Sequence, residues 1–340
     1  MPKTSLDTTK VSFLTISEDN HDQRVDNFLL SQLKGVPKTL VYRVIRKGEV
    51  RVNKKRVKAD TRLKSGDLVR IPPVRLPERG ETPPVSTVLR DKLDSSILYE
   101  DDGLLAVNKP SGLAVHGGSG VSLGMIEALR KMRPDHSFLE LVHRLDRDTS
   151  GVILVAKKRS VLKALQTMLA HKQGITKEYL AMVHGRWPQL KMEVNQPLLR
   201  VERQSGERMV RVSADGKPSL TRFELLSQGG RYALVKAEPV TGRTHQIRVH
   251  SQSVGCVIAG DEKYRSPVEV GIDDKQGIKR LHLHAWRLQF RHPTTGERLC
   301  LVAEPDQALQ CSFQQAGCQW SELVENQAGR NTDSNNKGKS

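Results

Sequence analysis

Two acids, two arginines, a histidine and two hydroxyl side chains lie together in the segment HRLDRDTSG, residues 143–151. The segment leads into the apolar stretch GVILVA, which is typical of a buried strand. Reactive groups presented at the end of a rigid strand suit catalysis. Asp146 and Asp148 are both candidates for a catalytic carboxylate, but an Asp in such a loop can also cap a turn through bonds to the backbone. The spacing does not choose between the two acids.

A second polar segment, VTGRTHQIRVHSQSVG at residues 240–255, has the pattern of a helix. Thr244 suits the N-cap, Ile247 would lie on the apolar face, and Gly255 can end the helix. Arg248 would then lie about one turn inside it. A buried arginine can pair bidentately with a carboxylate and keep the acid ionised. The alternative is a surface arginine without a partner, which is the commoner fate of this residue type.

Tyr179 is the third candidate for a chemical role. It follows Lys177 and directly precedes the alternating stretch LAMVHG. A lone tyrosine at such a place most often packs on the core as an ordinary strand residue. The role of Tyr179 therefore depends on which residues surround its side chain.

Four histidines raise the question of a metal site. His245 and His250 are five residues apart, which places them on different faces of a helix or strand, whereas metal-binding helices use a spacing of four. His282 and His284 share a strand face, but one such pair without a nearby cysteine or acid is weak evidence for zinc. We therefore expect no metal. The glycine-rich loop at 116–124 lacks the lysine of a P-loop and the dinucleotide spacing, so it favours a lid or turn.

The charge balance points to a polyanionic partner. The chain has 55 Lys and Arg against 38 Asp and Glu, a formal net charge of +17. Nucleic acid is the leading candidate because phosphate neutralisation releases counterions. An acidic membrane surface is the alternative, but no apolar run approaches the roughly 20 residues that span a bilayer. The start of the sequence lacks the apolar stretch of a signal peptide, and four cysteines without CxxC spacing favour reduced thiols, so we expect a cytoplasmic protein.

About half of this charge belongs to one small module. Residues 38–70 contain twelve Lys and Arg and three acids, a net +9. Apolar spacing predicts two helices, the second opened by Pro37 and closed by Gly48, followed by a small sheet. A solvated basic face is the alternative to nucleic-acid binding. Few aromatics accompany the charges, which favours contact with phosphates over base stacking. The candidate RNA-binding residues are Lys38, Arg43, Arg46, Lys47, Arg51, Lys54, Lys55 and Arg56.

Composition divides the chain into five parts. We expect a flexible N-terminal segment at 1–20, the basic module at 21–72, a Pro-rich linker at 73–90, a large domain at 91–310 and a polar, disordered tail at 311–340.

Within the large domain, the apolar strands LLAV at 104–107 and VILVA at 152–156 alternate with helical stretches near 123–132 and 160–171. Continuous apolar strands of this kind indicate a buried mixed sheet covered by helices. The predicted fold class is α+β.

Four segments together resemble the RluA family of pseudouridine synthases, over a match from about Gln23 to Pro305. They are the motif HRLDxxTSG at 143–151, the Lys-x-Tyr motif ending at Tyr179, GRTHQIRVH at 242–250 and NKPSGLAVHGG at 108–118. The basic module is similar to the alpha-L RNA-binding domain shared with a ribosomal small-subunit protein. The resemblance implies this module followed by a mixed-sheet catalytic domain.

The resemblance also implies residue roles. The family's catalytic Asp directly follows His-Arg-Leu, which makes Asp146 the catalytic carboxylate and Arg248 its partner, with Tyr179 stacking on the flipped base. Arg144 would take the space of the extruded uridine, and Ile247 would line the base pocket. His143, from the same motif, is the third candidate for substrate binding.

The activity implied is isomerisation of specific uridines to pseudouridine in 23S ribosomal RNA of the large subunit, by a monomer. No redox change or external group is involved, so no cofactor is expected. Two alternatives remain: a family member that acts on other ribosomal or transfer RNA uridines, and a non-catalytic RNA-binding factor in ribosome assembly. Asp146 could form a sugar adduct, assist formation of a glycal or add to C6 of uracil, and the sequence does not choose among these.

Overall fold

The computed structural model describes residues 10–33, 36–74, 83–117, 123–202 and 208–319. Two compact units divide the chain between residues 82 and 83. We call them the N-terminal unit and the C-terminal unit.

The helices of the described residues are α1 (Val25–Gln32), α2 (Lys38–Arg46), α3 (Thr87–Asp94), α4 (Met125–Met132), α5 (Arg159–His171), α6 (Gln246–Ser253), α7 (Pro267–Lys275) and α8 (Gln307–Gln315). The strands are β1 (Ser12–Thr15), β2 (Arg51–Val52), β3 (Lys55–Arg56), β4 (Leu68–Ile71), β5 (Ile97–Glu100), β6 (Leu104–Lys109), β7 (Glu140–Leu141), β8 (Ser150–Ala156), β9 (Ile175–His184), β10 (Lys191–Asn195), β11 (Leu198–Glu202), β12 (Arg208–Val212), β13 (Leu220–Gln228), β14 (Tyr232–Pro239), β15 (Leu283–Arg291) and β16 (Arg298–Val302).

The N-terminal unit packs α1 and α2 against a four-stranded sheet in the order β1-β4-β2-β3. Its core contains Phe28, Leu29, Val41 and Val69, all 3% exposed or less. The two predicted helices and the small sheet are confirmed. The expectation of a flexible segment at 1–20 is wrong for β1, because this strand pairs antiparallel with β4 and so completes the sheet.

In the C-terminal unit, the described residues form one ten-stranded sheet and a separate β11-β12 pair. Eight strands follow the order β10-β13-β14-β9-β15-β8-β6-β5, while β16 pairs with β15 and β7 with β8. Neighbours are antiparallel except for β8 and β15, which are parallel. The predicted mixed sheet is therefore confirmed, and its single parallel contact lies beside the HRLDRDTSG segment.

Helices cover both faces of this sheet. Side chains that alternate along β6 and β8 pack against α3 and α4 on one face and against α5 on the other. Farther along the sheet, α6 packs on the α4 face, while α8 packs on the opposite face. Tyr179 packs against two groups of buried side chains, one that includes Leu129 of α4 and one that includes Ile247 of α6. It therefore lies where these two parts of the core meet.

Gly151 lets β8 approach β15 at this junction. Its φ of +110° lies in a region that L side chains rarely adopt, and an added Cβ would lie 2.1 Å from the Ala285 carbonyl oxygen. Only glycine permits the backbones to come this close. Gly151, the last residue of the HRLDRDTSG motif, is therefore required by the packing of β8 against β15.

Two predicted boundaries differ from the structure. Helix α3 begins at Thr87, inside the expected linker, because the side chain of Ser86 accepts a hydrogen bond from the Leu89 amide and caps it. Helix α8 continues to Gln315, inside the expected polar tail, because Phe313 is fully buried against the sheet. The last 20 residues, predicted to be disordered, lie outside the described residues.

The described residues contain no helix long and apolar enough to cross a membrane. All four cysteines are free, with Cys256 and Cys318 buried and Cys300 and Cys311 exposed.

Gly151→Ala is expected to destabilise the C-terminal unit by roughly 3 kcal/mol or more, since both the positive φ and the contact with Ala285 must be relieved. Chemical unfolding of the full chain measures the change. Gly185→Ala is the matched control, because Gly185 also has a positive φ of +82° but nothing within 4 Å of its added Cβ. Equal losses in the two variants would show that the close approach contributes nothing.

Candidate active site

The Asp146 side chain lies in the loop between β7 and β8 and is 25% exposed. The turn is closed by the backbone, with the Thr149 amide donating to the Asp146 carbonyl oxygen at 3.2 Å. Asp148 instead pairs with the neighbouring Arg147 side chain at 3.1 Å. Neither carboxylate caps this turn, so the turn-capping alternative is wrong. The Asp146 carboxylate instead faces the side chains of Arg248 and His245.

The loop that carries Asp146 is fastened to the loop after β6. Lys109 is fully buried, and its Nζ donates to the carbonyl oxygens of Pro110, Leu113 and Arg147 at 2.8–2.9 Å. Ser111 Oγ also donates to the Asp148 carbonyl oxygen. Burial lowers the pKa of Lys109 to about 7. The NKPSG segment thus fixes the backbone directly after Asp146.

Arg248, the third residue of α6, is buried and contacts two carboxylates. Its Nε and Nη2 donate to both oxygens of Asp261 at 2.7 and 2.6 Å, and its Nη1 lies 3.4 Å from Asp146 Oδ2. The predicted Arg248–carboxylate pairing is present, but the bidentate partner is Asp261. Burial disfavours the charged guanidinium, yet the hydrogen bonds and charge of Asp261 raise the pKa of Arg248 above its usual value.

A second buried acid holds Asp261 in place. Asp273 in α7 accepts from Tyr232 Oη at 2.9 Å, the Gly260 amide at 2.8 Å and Arg265 Nη1 at 2.6 Å. Gly260 directly precedes Asp261, and Arg265 Nε donates to the Asp261 carbonyl oxygen. The backbone that presents Asp261 to the arginine is therefore anchored in the core.

The start of α6 differs from the prediction. His245, and not Thr244, occupies the N-cap, with φ 52° and ψ 21° in the left-handed region. Gln246 braces this end, since its amide nitrogen donates to Leu220 and Thr221 on β13. The helix ends at Ser253 with Val254 as its C-cap, and Gly255, the predicted terminating glycine, follows with a φ of +82°.

His245 and Tyr264 complete the surroundings of the acid. His245 Nε2 lies 3.7 Å from Asp146 Oδ2, and its Nδ1 lies 2.7 Å from Tyr264 Oη. The guanidinium carbon of Arg248 lies 5.1 Å from the centre of the Tyr264 ring. Burial and the charge of Arg248 lower the pKa of His245 to about 4, so the ring is neutral near pH 7.

A cavity of about 530 Å³ opens beside the carboxylate. All six predicted active-site residues border it: His143, Arg144, Asp146, Tyr179, Ile247 and Arg248. Burial, with the charge of Asp146, raises the pKa of Tyr179 well above its usual value, so its hydroxyl keeps its proton. Ile247 is 6% exposed and Arg144 is exposed. The cavity therefore has an aromatic wall, an apolar wall and an exposed cation beside one carboxylate.

The surroundings of His143 favour a structural role for this residue. Its Nε2 accepts a hydrogen bond from the Leu154 amide at 3.3 Å, and burial lowers the pKa of the imidazole to about 4. The neutral ring thus ties the loop of Asp146 to β8 while it borders the cavity.

The eight candidate RNA-binding residues of the N-terminal unit are all exposed. None of them belongs to an ion pair among the described residues. Arg62, by contrast, pairs with Asp22 at 2.8 Å. The eight charges are thus available for an external anion.

The histidines considered for metal binding have other partners. His250 is held between Thr221 Oγ1 and the Gln196 carbonyl oxygen, and His284 between Ser150 Oγ and the Ala303 carbonyl oxygen. In the part of the chain that the structure describes, no three His, Cys, Asp or Glu side chains form a group that could hold a metal ion.

Comparisons with known proteins identify both units. A family model described as RNA pseudouridylate synthase matches residues 103–253, and a model of the S4 domain matches residues 23–69. The chain is 56% identical to ribosomal large subunit pseudouridine synthase C of Pasteurella multocida, over 87% of this chain and 91% of that protein. It is 54% identical to the protein of the same name from Haemophilus ducreyi, over 88% and 93% of the two chains.

The chain belongs to the RluA family of pseudouridine synthases. The expected fold class is confirmed: an S4 RNA-binding domain precedes an α+β pseudouridine synthase domain. RluA-family enzymes are isomerases, which confirms the predicted enzyme class.

A solved structure agrees with this assignment. Human RNA pseudouridylate synthase domain containing 4 is 29% identical, covers 68% of this chain and 97% of its own, and superposes with a TM-score of 0.57.

Sequence reasoning missed His245, Asp261 and Tyr264 as parts of this RluA-family site. Asp261 follows Gly260, where an added Cβ would lie 1.7 Å from the Arg280 carbonyl oxygen, but this tertiary contact is not visible in the sequence. A glycine required by such close packing indicates a fixed backbone. The convergence of Asp261 and Tyr264 on α6 depends on tertiary structure.

Asp273 generates a testable dependence of stability on pH. Burial raises its pKa, but the contacts of His184, Gly260 and Arg265 outweigh this and lower it to about 2. A depressed folded-state pKa stabilises the protein above about pH 4, and this contribution disappears as the pH falls from about 4 to about 2.

Asp273→Asn is therefore expected to cost roughly 2 kcal/mol at pH 7 and much less near pH 2.5. Urea unfolding at several pH values measures the difference. The exposed neighbour Asp274 supplies the control variant Asp274→Asn, which is expected to match the wild type. A loss that is the same at every pH would contradict the assignment.

Proposed function

We propose that this RluA-family protein isomerises specific uridines to pseudouridine in 23S ribosomal RNA, with Asp146 as the catalytic carboxylate. The observation that carries the proposal is the placement of Asp146 at a cavity between Arg248 and Tyr179. Relatives over 50% identical are named ribosomal large subunit pseudouridine synthase C, which supports a large-subunit substrate.

The reaction rearranges one nucleoside without adding atoms. The N1–C1′ bond breaks, the uracil turns, a C5–C1′ bond forms, the C5 proton leaves and N1 gains a proton. No electrons are gained or lost and no external group is transferred, so the proposal includes no cofactor. An ionised carboxylate beside C1′ can attack it or assist departure of the base, as glycosidase carboxylates do.

The neighbouring residues help to flip the uridine out and retain the detached base. A uridine in a stacked helix must be flipped out, at a cost of a few kcal/mol, and a side chain that fills the gap lowers that cost. Arg144 is exposed at the cavity and has the length to do so. Tyr179 and Ile247 provide the aromatic and apolar surfaces that retain the detached uracil.

The N-terminal unit supplies affinity for RNA. Its eight exposed basic residues have no carboxylate partners among the described residues, so each can meet a phosphate. We propose that the protein acts as a monomer in the cytoplasm, where ribosomal RNA is made and assembled in bacteria.

Asp146→Asn is expected to reduce tritium release from C5-labelled uridine in ribosomal RNA by at least about a thousandfold, as when a nucleophile is removed. Asp148→Asn is the matched control in the same loop, since Asp148 pairs only with Arg147 among the described residues. It should retain most of the activity. Wild-type rates for Asp146→Asn would refute the catalytic assignment.

Replacing Arg43, Arg46 and Lys47 with Gln in the full chain is expected to weaken RNA binding at low salt. The slope of log affinity against log salt should become shallower by about 0.7–0.9 for each phosphate that the variant no longer neutralises. Filter binding across a salt titration measures both quantities. Arg62→Gln is the control, because Asp22 already neutralises Arg62. An unchanged slope in the triple variant would argue against this RNA-binding surface.

Pseudouridine mapping tests the substrate. RNA from cells with and without the gene is compared across large-subunit, small-subunit and transfer RNA. Loss of sites in large-subunit RNA alone is the expected result. Sites lost only in transfer RNA would assign the enzyme to a different substrate, and no lost sites would favour a ribosome-assembly factor.

A further inference from the structure

His245 adopts an unfavourable backbone conformation beside the proposed catalytic carboxylate. Its φ of 52° and ψ of 21° place a residue with a Cβ in the left-handed region, at a cost of about 1 kcal/mol or more. Histidine and asparagine tolerate this region better than most residues. The conformation aims the ring between Asp146 and Tyr264, so the fold maintains it beside the reactive group.

The hydrogen bonds of Tyr264 determine where the imidazole proton lies. The Val210 amide donates to Tyr264 Oη at 3.1 Å, so the hydroxyl oxygen already acts as an acceptor. Burial raises the pKa of Tyr264 to about 12, and the hydroxyl keeps its proton. His245 Nδ1, 2.7 Å away, is the only acceptor for that proton among the described residues. Nδ1 therefore accepts, and in the neutral ring the proton belongs to Nε2.

This Nε2–H group faces the same carboxylate oxygen as the arginine. His245 Nε2 lies 3.7 Å from Asp146 Oδ2, and Arg248 Nη1 lies 3.4 Å from that atom. Among the described residues, the two basic side chains within 4.0 Å of this carboxylate thus both face Oδ2. The separation of 3.7 Å from His245 is longer than a hydrogen bond, and such distances at catalytic groups commonly close when the substrate binds. Tyr264 supports both donors, through its hydroxyl to His245 and its ring face to Arg248.

We infer that His245 is a positioning residue which, held as the Nε2–H tautomer by Tyr264, orients Asp146 through Oδ2 and leaves Oδ1 as the oxygen that meets the uridine. The inference rests on the proposed role of Asp146. A carboxylate held through one oxygen has a defined rotation about its last bond, so the other oxygen points at one place in the cavity. A misplacement of about 1 Å at a reacting atom can cost a hundredfold in rate.

A neutral donor suits this position. The charged groups that face the ring are Arg248 and Lys263, which disfavour a second cation, and Asp146 and Asp261, which favour one. Burial and Arg248 prevail, so the ring stays neutral at neutral pH. It can then orient the carboxylate without adding a second full positive charge that would weaken its reactivity.

Two substitutions of His245 test the contributions of its two ring nitrogens separately. In His245→Gln the side-chain amide nitrogen can take the place of Nε2 and donate to Asp146. In His245→Asn the shorter amide reaches only the place of Nδ1, towards Tyr264. Asparagine tolerates the left-handed backbone at least as well as glutamine, so a merely structural role predicts that the Asn variant is the better of the two.

We expect His245→Asn to lower kcat about a hundredfold with KM changed less than about threefold, and His245→Gln to recover at least about tenfold of that loss. Steady-state tritium release across a range of RNA concentrations measures kcat and KM, and thermal unfolding checks that both variants fold. An Asn variant as active as the Gln variant, or more active, would overturn the inference.

Nitrogen-15 NMR of the labelled wild-type protein at pH 7 tests the tautomer without any assay of activity. The His245 signals are assigned by their loss in His245→Gln. The expected pattern is a protonated Nε2 and an unprotonated Nδ1, and Tyr264→Phe should shift the Nδ1 signal. A protonated Nδ1 in the wild type would overturn the inference. If Asp146→Asn stays active while the tautomer is as expected, the proposed catalytic assignment fails instead.

Discussion

The buried ion pair between Arg248 and Asp261 is the constraint on which the active site depends. Two charges taken out of water are costly unless their geometry is nearly ideal and their remaining hydrogen-bonding groups are satisfied. Here the pair is bidentate, the guanidinium lies over Tyr264, and Asp261 also accepts from the Lys263 amide. Only the remaining Nη1 is left for Asp146. The arginine is thus fixed by one carboxylate so that it can direct another.

Each support of this pair is itself tied to the core. Asp273 anchors the backbone before Asp261, and Lys109 fastens the loop that carries Asp146. Both are buried ionisable groups with several hydrogen bonds, as physical chemistry requires of charges in a protein interior. The result is a site whose groups are held in place before the substrate arrives, which is what catalysis by positioning demands. Arg144 is the exception, because its side chain is exposed at the cavity.

The division into two units separates affinity from chemistry. The S4 domain presents cations without carboxylate partners among the described residues, whereas the synthase domain uses Arg248 for internal pairing. In the function proposed above, phosphate contacts of these cations place the RNA without reading its bases. Selection of particular uridines would then come from the shape of the RNA around the cavity and from the base that can be flipped into it.

The sequence by itself predicted the main helices and strands and the mixed sheet, because apolar periodicity is a local feature of the chain. Spacing left the choice between Asp146 and Asp148 open, and the resemblance of the HRLDxxTSG motif to the RluA family pointed to Asp146. The sequence also predicted that Arg248 would meet a carboxylate. Tertiary structure decided which one: Asp261 takes the bidentate contact because the preceding Gly260 packs closely against Arg280 and is held by Asp273. It also decided that His245 occupies the N-cap position of α6. These contacts join residues far apart in the chain, and no local pattern encodes a distance between them.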